Sequence, residues 1–453
     1  MSDLNNNQLI NGGVARSLIV FTMPIIFALI LQVMYGTVDL FIVGNFATIQ
    51  DLSGVSTGSQ VINTLTTLCV GFAMGTTILL GQKIGEKREK EVEDVISNSL
   101  ILFMGISFVV MGLLLVFHEQ LLNGMNTPQD AWQQTSNYIF YSSIGVPMIF
   151  AYNVLGSIFR GLGDSKTPLI AVGIACFANI VCDLLLVAYF NMGSSGAAIA
   201  TVIAQGISVV ASLYIVKKKK SFIYNIRFNF PKLNLAYIKK VVTLGLPIAL
   251  QSGLTSLSFL FITLIVNKLG VLFSASVGIT EKLTGVIMLI PLAFMQSISV
   301  FVAQNFGARD FRRTKRGLTV GLTISASFGF VTAYYSYFYG EHLIWLFNRD
   351  PEVIATAASY LKIYSFDVAL VPFLFCLTGY LNGCGKTMYV MIQGVIGAIA
   401  IRLCLTYYLS QIEPVTLFRI GLATPIATTV QIMMCIYFYK RTQRYLKGLI
   451  SFS

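Results

Sequence analysis

Residues 18–41 read LIVFTMPIIFALILQVMYGTVDLF, and this stretch decides the class of fold. It carries one charge, Asp39, and it is long enough to cross a hydrocarbon layer of about 30 Å as a helix. Because the apolar part of a cleaved signal peptide is shorter, we interpret this stretch as a retained first transmembrane helix. Apolar blocks of comparable length recur along the chain, and about twelve transmembrane helices are predicted. Their approximate spans are 18–41, 52–81, 95–117, 135–158, 168–190, 194–216, 242–267, 274–303, 318–340, 357–381, 388–409 and 417–440.

The whole chain of 453 residues has the composition of a membrane protein. It is 55% hydrophobic and 11% charged, whereas about 25% of the residues in a soluble protein are charged. The sequence lacks the alternation of apolar and polar residues that marks transmembrane β-strands, so an all-α polytopic fold is predicted. The seven cysteines stand singly, and the two histidines lie near segment ends. This pattern favours neither structural zinc nor a disulfide framework, and no cofactor is expected.

The basic residues lie mainly on one side of the predicted membrane. When the N-terminal tail and every second loop are assigned to one side, that side holds most of the 31 lysines and arginines. The opposite loops hold Lys268 and Arg349. Since basic loops stay in the cytoplasm, both termini are predicted to be cytoplasmic in a multi-pass protein of the cell membrane. The net charge of +12 and the run Lys217–Lys220 then indicate contact with membrane lipids, not with nucleic acid.

The second half of the chain repeats the first. Landmarks recur in the same order and at a nearly constant displacement, which isolated coincidences cannot explain. The matched pairs are Pro24 with Pro247, GQKIG at 81–85 with AQNFG at 303–307, Tyr138 with Tyr360, RGLGDS at 160–165 with NGCGKT at 382–387, and IAT at 199–201 with IAT at 426–428. The chain is therefore predicted to be an internal duplication.

The duplication predicts two lobes of six helices each. We place an N-terminal lobe at 1–216, a cytoplasmic linker at 217–241 and a C-terminal lobe at 242–453. Because six is an even number, both copies enter the membrane in the same direction and form parallel repeats. Transporters of this kind bind substrate at the interface of their repeats, so transport by alternating access is the expected mechanism.

Acidic residues inside the apolar segments of the first half need a reason, because a central charge costs about 2.5 to 3.5 kcal/mol. The polar residues in question are Tyr35 and Asp39 on the first helix, Asn179 and Asp183 on the fifth, and Thr201 on the sixth. If these helices converge, two carboxyl groups that cannot easily both be charged meet in a dry pocket. Such a pocket could bind a proton, or a sodium ion through Asp39, Asp183 and Asn179. A structural hydrogen-bond cluster is the alternative.

Pro24 lies in the first half of the same helix as Asp39. A proline inside a helix removes one hydrogen bond and bends the helix. The bend is either a fixed kink or a hinge whose angle follows the protonation of Asp39. The sequence alone does not separate these two interpretations.

The second half carries a different set of polar residues in its apolar segments. The set consists of Gln251 and Thr255 on the seventh helix, Glu281 on the eighth, Asp367 on the tenth and Arg402 on the eleventh. Arg402 needs a buried acid, and Glu281 or Asp367 is the natural partner. A structural salt bridge and contact with substrate are both open for this group.

Together these elements resemble the MATE family of multidrug and toxin extruders. The elements are Pro24 followed by Asp39 and Gly44, RGLGDSKTP at 160–168, Asn179-x-x-x-Asp183, and GAAIAT ending at Thr201. The resemblance covers nearly the whole chain, and the order and spacing are more specific than any single element. It implies twelve helices in two six-helix lobes arranged as a V, and an antiporter that exports cationic, aromatic compounds in exchange for protons or sodium ions.

Within that family, one set of residues resembles the N-lobe cation or proton site of the DinF-type branch: Tyr35, Asp39, Asn179, Asp183 and Thr201. The NorM branch carries an acid on the seventh helix at the place of Thr255. The resemblance therefore implies coupling through the N-lobe. It also implies small organic substrates and membrane lipids as partners, and we expect a monomer.

Other functions compete with drug export. Flippases for lipid-linked sugars share this helical architecture, but they commonly carry several cationic residues in a central cavity, whereas acids outnumber bases in the apolar segments of the first half. An enzyme is not indicated, because the sequence has no HExxH, GxSxG or Cys/His constellation. Gly385-Lys386-Thr387 resembles the end of a phosphate loop, but Tyr380 stands where its first glycine is required.

Overall fold

The computed structural model describes residues 8–125, 127–218 and 233–451, and in these ranges the chain forms helices joined by short connections. Eleven helices are long and apolar enough to cross a membrane, and the number rises to twelve if one bent pair is a single span. This finding confirms the prediction of an all-α polytopic membrane protein. Most of the predicted linker at 217–241 lies outside the described residues.

The first half of the chain supplies eight helices. They are α1 (Gln8–Asn11), α2 (Val14–Phe46), α3 (Ile49–Gly85), α4 (Glu89–Gly124), α5 (Trp132–Ile144), α6 (Val146–Gly161), α7 (Lys166–Asp183) and α8 (Gly193–Lys218). A 3₁₀ turn at Gln129–Ala131 precedes α5. A π-helical segment at Leu184–Tyr189 continues α7, and the two form one candidate span.

The second half supplies ten more helices. They are α9 (Leu235–Asn267), α10 (Val271–Ile287), α11 (Leu289–Gly307), α12 (Phe311–Phe338), α13 (Gly340–Trp345), α14 (Pro351–Gly383), α15 (Thr387–Val395), α16 (Cys404–Leu409), α17 (Leu417–Gly421) and α18 (Ala423–Ser451). A second π-helical segment, Ile396–Leu403, joins α15 to α16. The eleventh predicted span therefore contains three consecutive helical pieces.

The fourth predicted span, 135–158, is bent. Gln129–Ile144 and Val146–Gly161 meet at an angle of 54° around Gly145. Pro147 stands in the first turn of α6, where proline is well tolerated because its missing N–H has no partner in the helix. A Cβ atom on Gly145 would collide with the side chain of Val202 on α8. The bend therefore lies where α8 approaches most closely.

The described chain divides into two compact units, and the division falls inside two long helices. The first unit contains Met23–Ala249, and the second contains Gln8–Thr22 and Leu250–Ser453. Pro24 lies inside α2 and Pro247 inside α9, each within a few residues of the division. These are the two prolines that the internal repeat pairs. Because a proline leaves one helical hydrogen bond unmade, each helix is weakened close to the place where it passes from one unit to the other.

The first unit is built around α3. This helix packs against α5 and α6, and against the beginning of α9. A Cβ atom on Gly75 of α3 would lie 2.6 Å from the backbone nitrogen of Gly245 on α9, so the two backbones are in direct contact. Small residues allow this close approach of helices in a membrane. Ile42, Val55, Tyr138, Val187 and Ala197 belong to a buried apolar cluster that joins α2, α3, α5, α8 and the first π-helical segment.

The second unit is built around α14. Helices α10, α11, α12 and α18 pack against it. A Cβ atom on Gly379 of α14 would lie 2.5 Å from the carbonyl oxygen of Met295 on α11, which again requires glycine at a helix contact. Ile262, Val277, Tyr360 and Tyr364 belong to the buried apolar cluster that α14 shares with α9 and α10.

Candidate functional site

Two carboxyl groups meet inside the first unit. Asp39 on α2 is 5% exposed, and Asp183 at the end of α7 is fully buried. The side chains of Asp39 and Asp183 are neighbours, although α2 and α7 are distant in sequence. The convergence of the first and fifth membrane helices, expected from the sequence, is thus present in the structure.

The other predicted members of this site surround the two acids. Asn179 lies one turn before Asp183 on α7, beside its carboxyl group. The hydroxyl of Tyr35 lies beside Thr201 of α8 and in electrostatic contact with both acids. The structure therefore brings together all five residues that the sequence suggested for an ion site. We refer to Tyr35, Asp39, Asn179, Asp183 and Thr201 as the acid site.

Tyr138 of α5 is a further neighbour that sequence reasoning did not include. Its ring is 3% exposed, it belongs to the apolar cluster beside α2, and its hydroxyl acts electrostatically on Asp39 and Asp183. The sequence offered it only as a landmark of the repeat, paired with Tyr360. A spacing rule within one helix could not assign Tyr138 to the acid site, because it reaches the acids from a different helix.

The acid site has more acceptors than donors. Neither carboxyl oxygen of Asp183 accepts a hydrogen bond of normal geometry from the described residues, and the same holds for Oδ1 of Asp39. Both amide atoms of Asn179 are also without such a partner. A buried acceptor left unpaired costs about 1–3 kcal/mol, and more when it is charged. These oxygens therefore fit a proton or a small hard cation.

A resident metal centre finds less support. The residues described in the structure hold no group of three or more His, Cys, Asp and Glu side chains placed to bind a metal ion. The acid site offers two carboxylates, an amide and hydroxyls. These are hard oxygen ligands, which suit a sodium ion better than they suit a transition metal. Sodium at Asp39, Asp183 and Asn179 stays a prediction.

Both π-helical segments begin or end beside a buried charge. The first starts directly after Asp183, and the second contains Arg402. A π-helix shifts the hydrogen-bond register by one residue and is frequent at functional sites. The sequence did not indicate either segment, because the hydrophobic pattern of a π-turn does not differ visibly from that of an α-helix over so few residues.

The charged residues of the second unit form a separate cluster. Arg402 is 6% exposed; its Nη1 donates to the hydroxyl of Ser258 at 3.4 Å, and its guanidinium lies 4.6 Å from the ring centre of Phe259. Asp367 is 2% exposed and accepts a hydrogen bond from the hydroxyl of Thr428. Arg402 acts on Asp367 electrostatically.

Among the described residues, Arg402 forms no direct ion pair with the acids of this cluster. In the part of the chain that the structure describes, neither Asp367 nor Glu281 lies within salt-bridge distance of Arg402. Tyr360 is in electrostatic contact with all three charged residues, and Tyr364 is another such neighbour. The two acids and the one base are thus held near each other around tyrosine side chains.

Gln251 and Thr255 are placed less centrally. The hydroxyl of Thr255 donates to the carbonyl oxygen of Gln251 at 2.8 Å, within α9. The side chain of Gln251 packs against Gly394 of α15, where any Cβ atom would collide with it. Ser258, almost one turn after Thr255 on α9, accepts the hydrogen bond from Arg402.

Fold and site define the class of protein: a duplicated, all-helical membrane protein with an acid pair inside its first unit. The chain belongs to the MATE family: the MatE family model matches it twice, at residues 24–185 and 247–408. The two matches begin at Pro24 and Pro247 and have equal length, which confirms the internal duplication. MATE proteins are membrane transporters.

Relatives and solved structures agree with this assignment. The chain is 27% identical over 391 residues to the probable multidrug resistance protein YpnP of Bacillus subtilis (strain 168), covering 86% of this chain and 87% of that protein. It is 24% identical over 390 residues to the multidrug export protein MepA of Staphylococcus aureus (strain MSSA476), covering 84% and 85%. A solved structure described as an outward-facing multidrug resistance MATE family transporter shares the fold, with a TM-score of 0.90, 18% identity and coverage of 97% and 98%.

Proposed function

We propose that the protein is a secondary active antiporter that exports organic cations and drugs across the cell membrane in exchange for protons or sodium ions. Family membership and the names of the relatives support drug export. The observation that carries ion coupling is the acid pair: Asp39 and Asp183 are buried side by side, and three of their four carboxyl oxygens accept no hydrogen bond from the described residues. A site of this kind is neutralised by a cation or a proton.

The acid site supplies a reason for exchange in opposite directions. If ion binding favours one access state and drug binding the other, then each ligand weakens the affinity for the other by the same factor. In the outward-facing state, Asp39 and Asp183 bind the ion and the drug leaves. In the inward-facing state, the ion is released and a new drug molecule binds.

The remaining members of the acid site have supporting roles in this proposal. Asn179 and Thr201 offer neutral oxygen ligands, and the hydroxyl of Tyr35 lies beside Thr201. The corresponding place on α9 is occupied by Thr255, which carries no acid, and its hydroxyl donates to the backbone of its own helix. Both features favour coupling through the first unit, as in the DinF-type branch.

Several larger-scale expectations belong to the same proposal. They are lobes at 1–216 and 242–453 joined by a linker at 217–241, cytoplasmic termini, a monomeric state, and a hinge at Pro24. The hinge is supported by the position of Pro24 inside α2, at the division between the two compact units.

Transport into inverted membrane vesicles tests the proposal. Uptake of the fluorescent cation ethidium is measured while a pH gradient or a sodium gradient is imposed separately. One gradient is expected to drive uptake, and Asp39→Asn is expected to remove that dependence, because an amide cannot take up a proton or balance the charge of an ion. Asp130→Asn is the matched control, since Asp130 is exposed and lies outside the acid site.

Two results would count against antiport. Uptake that neither gradient drives refutes ion coupling, and coupling that survives in Asp39→Asn refutes the assigned site. Translocation of a lipid-linked sugar with no ethidium uptake would favour the flippase instead.

A further inference from the structure

Arg160 lies in the last turn of α6. Its guanidinium turns back along its own helix, over the residues one turn earlier, as long helical side chains usually do. Nη2 donates to the hydroxyl of Ser157 at 2.9 Å, and Nη1 would lie 3.3 Å from a Cβ atom added to Gly156. The absence of a side chain at Gly156 gives the guanidinium room to lie there.

Arg160 is linked to α2 through one polar residue of its own helix. Tyr152, two turns earlier on α6, is in electrostatic contact with it. The hydroxyl of Tyr152 in turn accepts a hydrogen bond from Nε2 of Gln32 on α2, at 3.2 Å. Gln32 is exposed, whereas Tyr152 and Arg160 are half-buried. The group is therefore recessed but reachable.

The charge of Arg160 is not balanced within the described part of the chain. Ion pairs there involve Lys83 and Arg88 with Glu86 and Glu91, and Arg160 takes part in none. Its Nε is buried without a hydrogen-bond acceptor. A buried donor left unpaired costs about 1–3 kcal/mol, and more when it is charged. Arg402, the cation of the second unit, differs because two acids accompany it.

Donors predominate among the unpaired hydrogen-bonding groups at this place, and Oε1 of Gln32 is an acceptor beside them. Arg160 presents a planar fork with an unpaired Nε–H, and the hydroxyl of Tyr152 accepts from Gln32 and so keeps its own hydrogen for another partner. Gln32 has a second amide hydrogen. Arginine forks suit carboxylate and phosphate groups, which accept two parallel hydrogen bonds. Such a ligand would satisfy the donors and balance the charge.

We propose that Gln32, Tyr152 and Arg160 form a subsite that binds the carboxylate or phosphate group of a zwitterionic substrate. The inference rests on the proposed export function and narrows its substrate class. Gln32 and Asp39 lie on one polar stripe of α2, separated by about 10 Å of helix rise. A substrate carrying an amine and an acidic group could therefore interact with the acid site and with Arg160 on the same unit.

A matched pair of dyes tests the subsite. Rhodamine B carries a free benzoate and is a zwitterion, whereas its ethyl ester is a cation with the same chromophore. Binding to purified protein is measured by fluorescence polarisation, and uptake is measured in inverted vesicles. Arg160→Gln is expected to weaken binding and uptake of rhodamine B about tenfold relative to the wild-type chain, and to change those of the ester less than twofold.

The controls separate a substrate contact from a structural role. Lys166→Gln removes an exposed positive charge from the first residue of α7, and it is expected to change the binding and uptake of neither dye. Arg160→Lys is expected to restore part of the rhodamine B affinity, because it returns the charge without the fork. Equal loss of both dyes in Arg160→Gln, or no loss of either, would overturn the subsite. The binding experiment is repeated with phosphatidylglycerol in place of a neutral lipid. If the difference in rhodamine B binding between the wild-type chain and Arg160→Gln then disappears, Arg160 binds a lipid headgroup, and this result also overturns the subsite.

The two proposals fail in distinguishable ways. Selective loss of rhodamine B binding in Arg160→Gln supports the subsite even if neither gradient drives uptake by the wild-type chain, a result that would refute antiport alone. If a gradient drives uptake of the ester, but the binding and uptake of rhodamine B do not change in Arg160→Gln, the subsite alone is refuted.

Discussion

At the scale of single residues, one carboxylate connects the starts of two helices. Asp51 forms a capping box with Thr48 at the start of α3, and its Oδ1 also accepts a hydrogen bond from the backbone nitrogen of Ser194 in the first turn of α8, at 2.8 Å. Gly193, the first residue of α8, has a φ of +53° and leaves no room for a side chain beside Asp51. Its backbone angle costs about 1–2 kcal/mol for other residues.

Gly193→Ala is therefore expected to destabilise the protein. The strained angle and the displacement of Asp51 from its caps together should lower the free energy of unfolding by about 2–3 kcal/mol. Thermal unfolding in detergent, followed by intrinsic fluorescence, provides the measurement. Gly206→Ala on the same helix is the control, because a Cβ atom there meets nothing within 4 Å and alanine favours the helix. A loss in Gly206→Ala as large as that in Gly193→Ala would contradict the explanation.

The cluster around Arg402 gives a second prediction. Arg402→Met is expected to lower the free energy of unfolding by about 1–3 kcal/mol, because the hydrogen bond to Ser258 is lost and Asp367 is left buried without its nearby cation. The double variant Arg402→Met with Asp367→Asn should recover more than 1 kcal/mol of that loss, as a double-mutant cycle measures. Additive losses would show that the two residues do not stabilise one another, and would favour contact with substrate.

The residues of the acid site could be predicted from the sequence because each pair shares one helix. Helical spacing places Tyr35 with Asp39 and Asn179 with Asp183, and an acid in an apolar segment is conspicuous. Tyr138 and Arg160 could not be assigned in this way. Their roles depend on which helices are neighbours and on the direction of a long side chain, and neither is encoded in the spacing along one helix.

At the scale of helices, the most informative feature is the pair of prolines in α2 and α9. Each lies within a few residues of the place where the helix passes from one compact unit to the other. If these are hinges, Pro24→Ala and Pro247→Ala should each slow gradient-driven ethidium uptake about fivefold or more, while ethidium binding to purified protein changes less than twofold. The physical reason is that alanine restores the backbone N–H that can close the helix and stiffen it.

Pro372 offers a matched control for this experiment. It lies inside α14, which belongs entirely to the second unit. Pro372→Ala should leave uptake within twofold of the wild-type rate. Equal slowing in all three variants would mean that the loss comes from general changes in helix packing, and the hinge would have to be abandoned.

The helices themselves were predictable to the extent that hydrophobicity determines them. The long apolar blocks correspond to the candidate spans, since a segment of about 20 apolar residues has few alternatives to a membrane helix. The break at Gly145 and the two π-helical segments were not predicted. They depend on close contacts such as that of Gly145 with Val202, and on hydrogen-bond registers that leave the apolar pattern unchanged.

At the scale of the whole molecule, the two halves kept one scaffold and diverged in chemistry. Both contain a proline near the start and a π-helical segment late in the repeat. In both, a glycine-rich connection precedes the π-helical segment: RGLGDS at 160–165 and NGCGKT at 382–387. The first half has a buried acid pair with no ion-pair partner among the described residues, whereas the second half combines Glu281 and Asp367 with Arg402. Since Arg402 offsets part of the negative charge in the second half, the proposed coupling ion has more to gain by binding in the first.

The distribution of basic residues among the loops predicts the orientation of the whole chain in the membrane. The connection between α11 and α12, with Arg309, and the first turn of α12, with Arg312, should be cytoplasmic. The connection after α13, with the isolated Arg349, should face the outside. Alkaline phosphatase fused after Asp310 should thus be inactive, and the same enzyme fused after Arg349 should be active, because it folds only outside the cytoplasm. Green fluorescent protein at the C-terminus should fluoresce. The two sites lie at opposite ends of the α12–α13 segment, so reversed activities would overturn the predicted orientation.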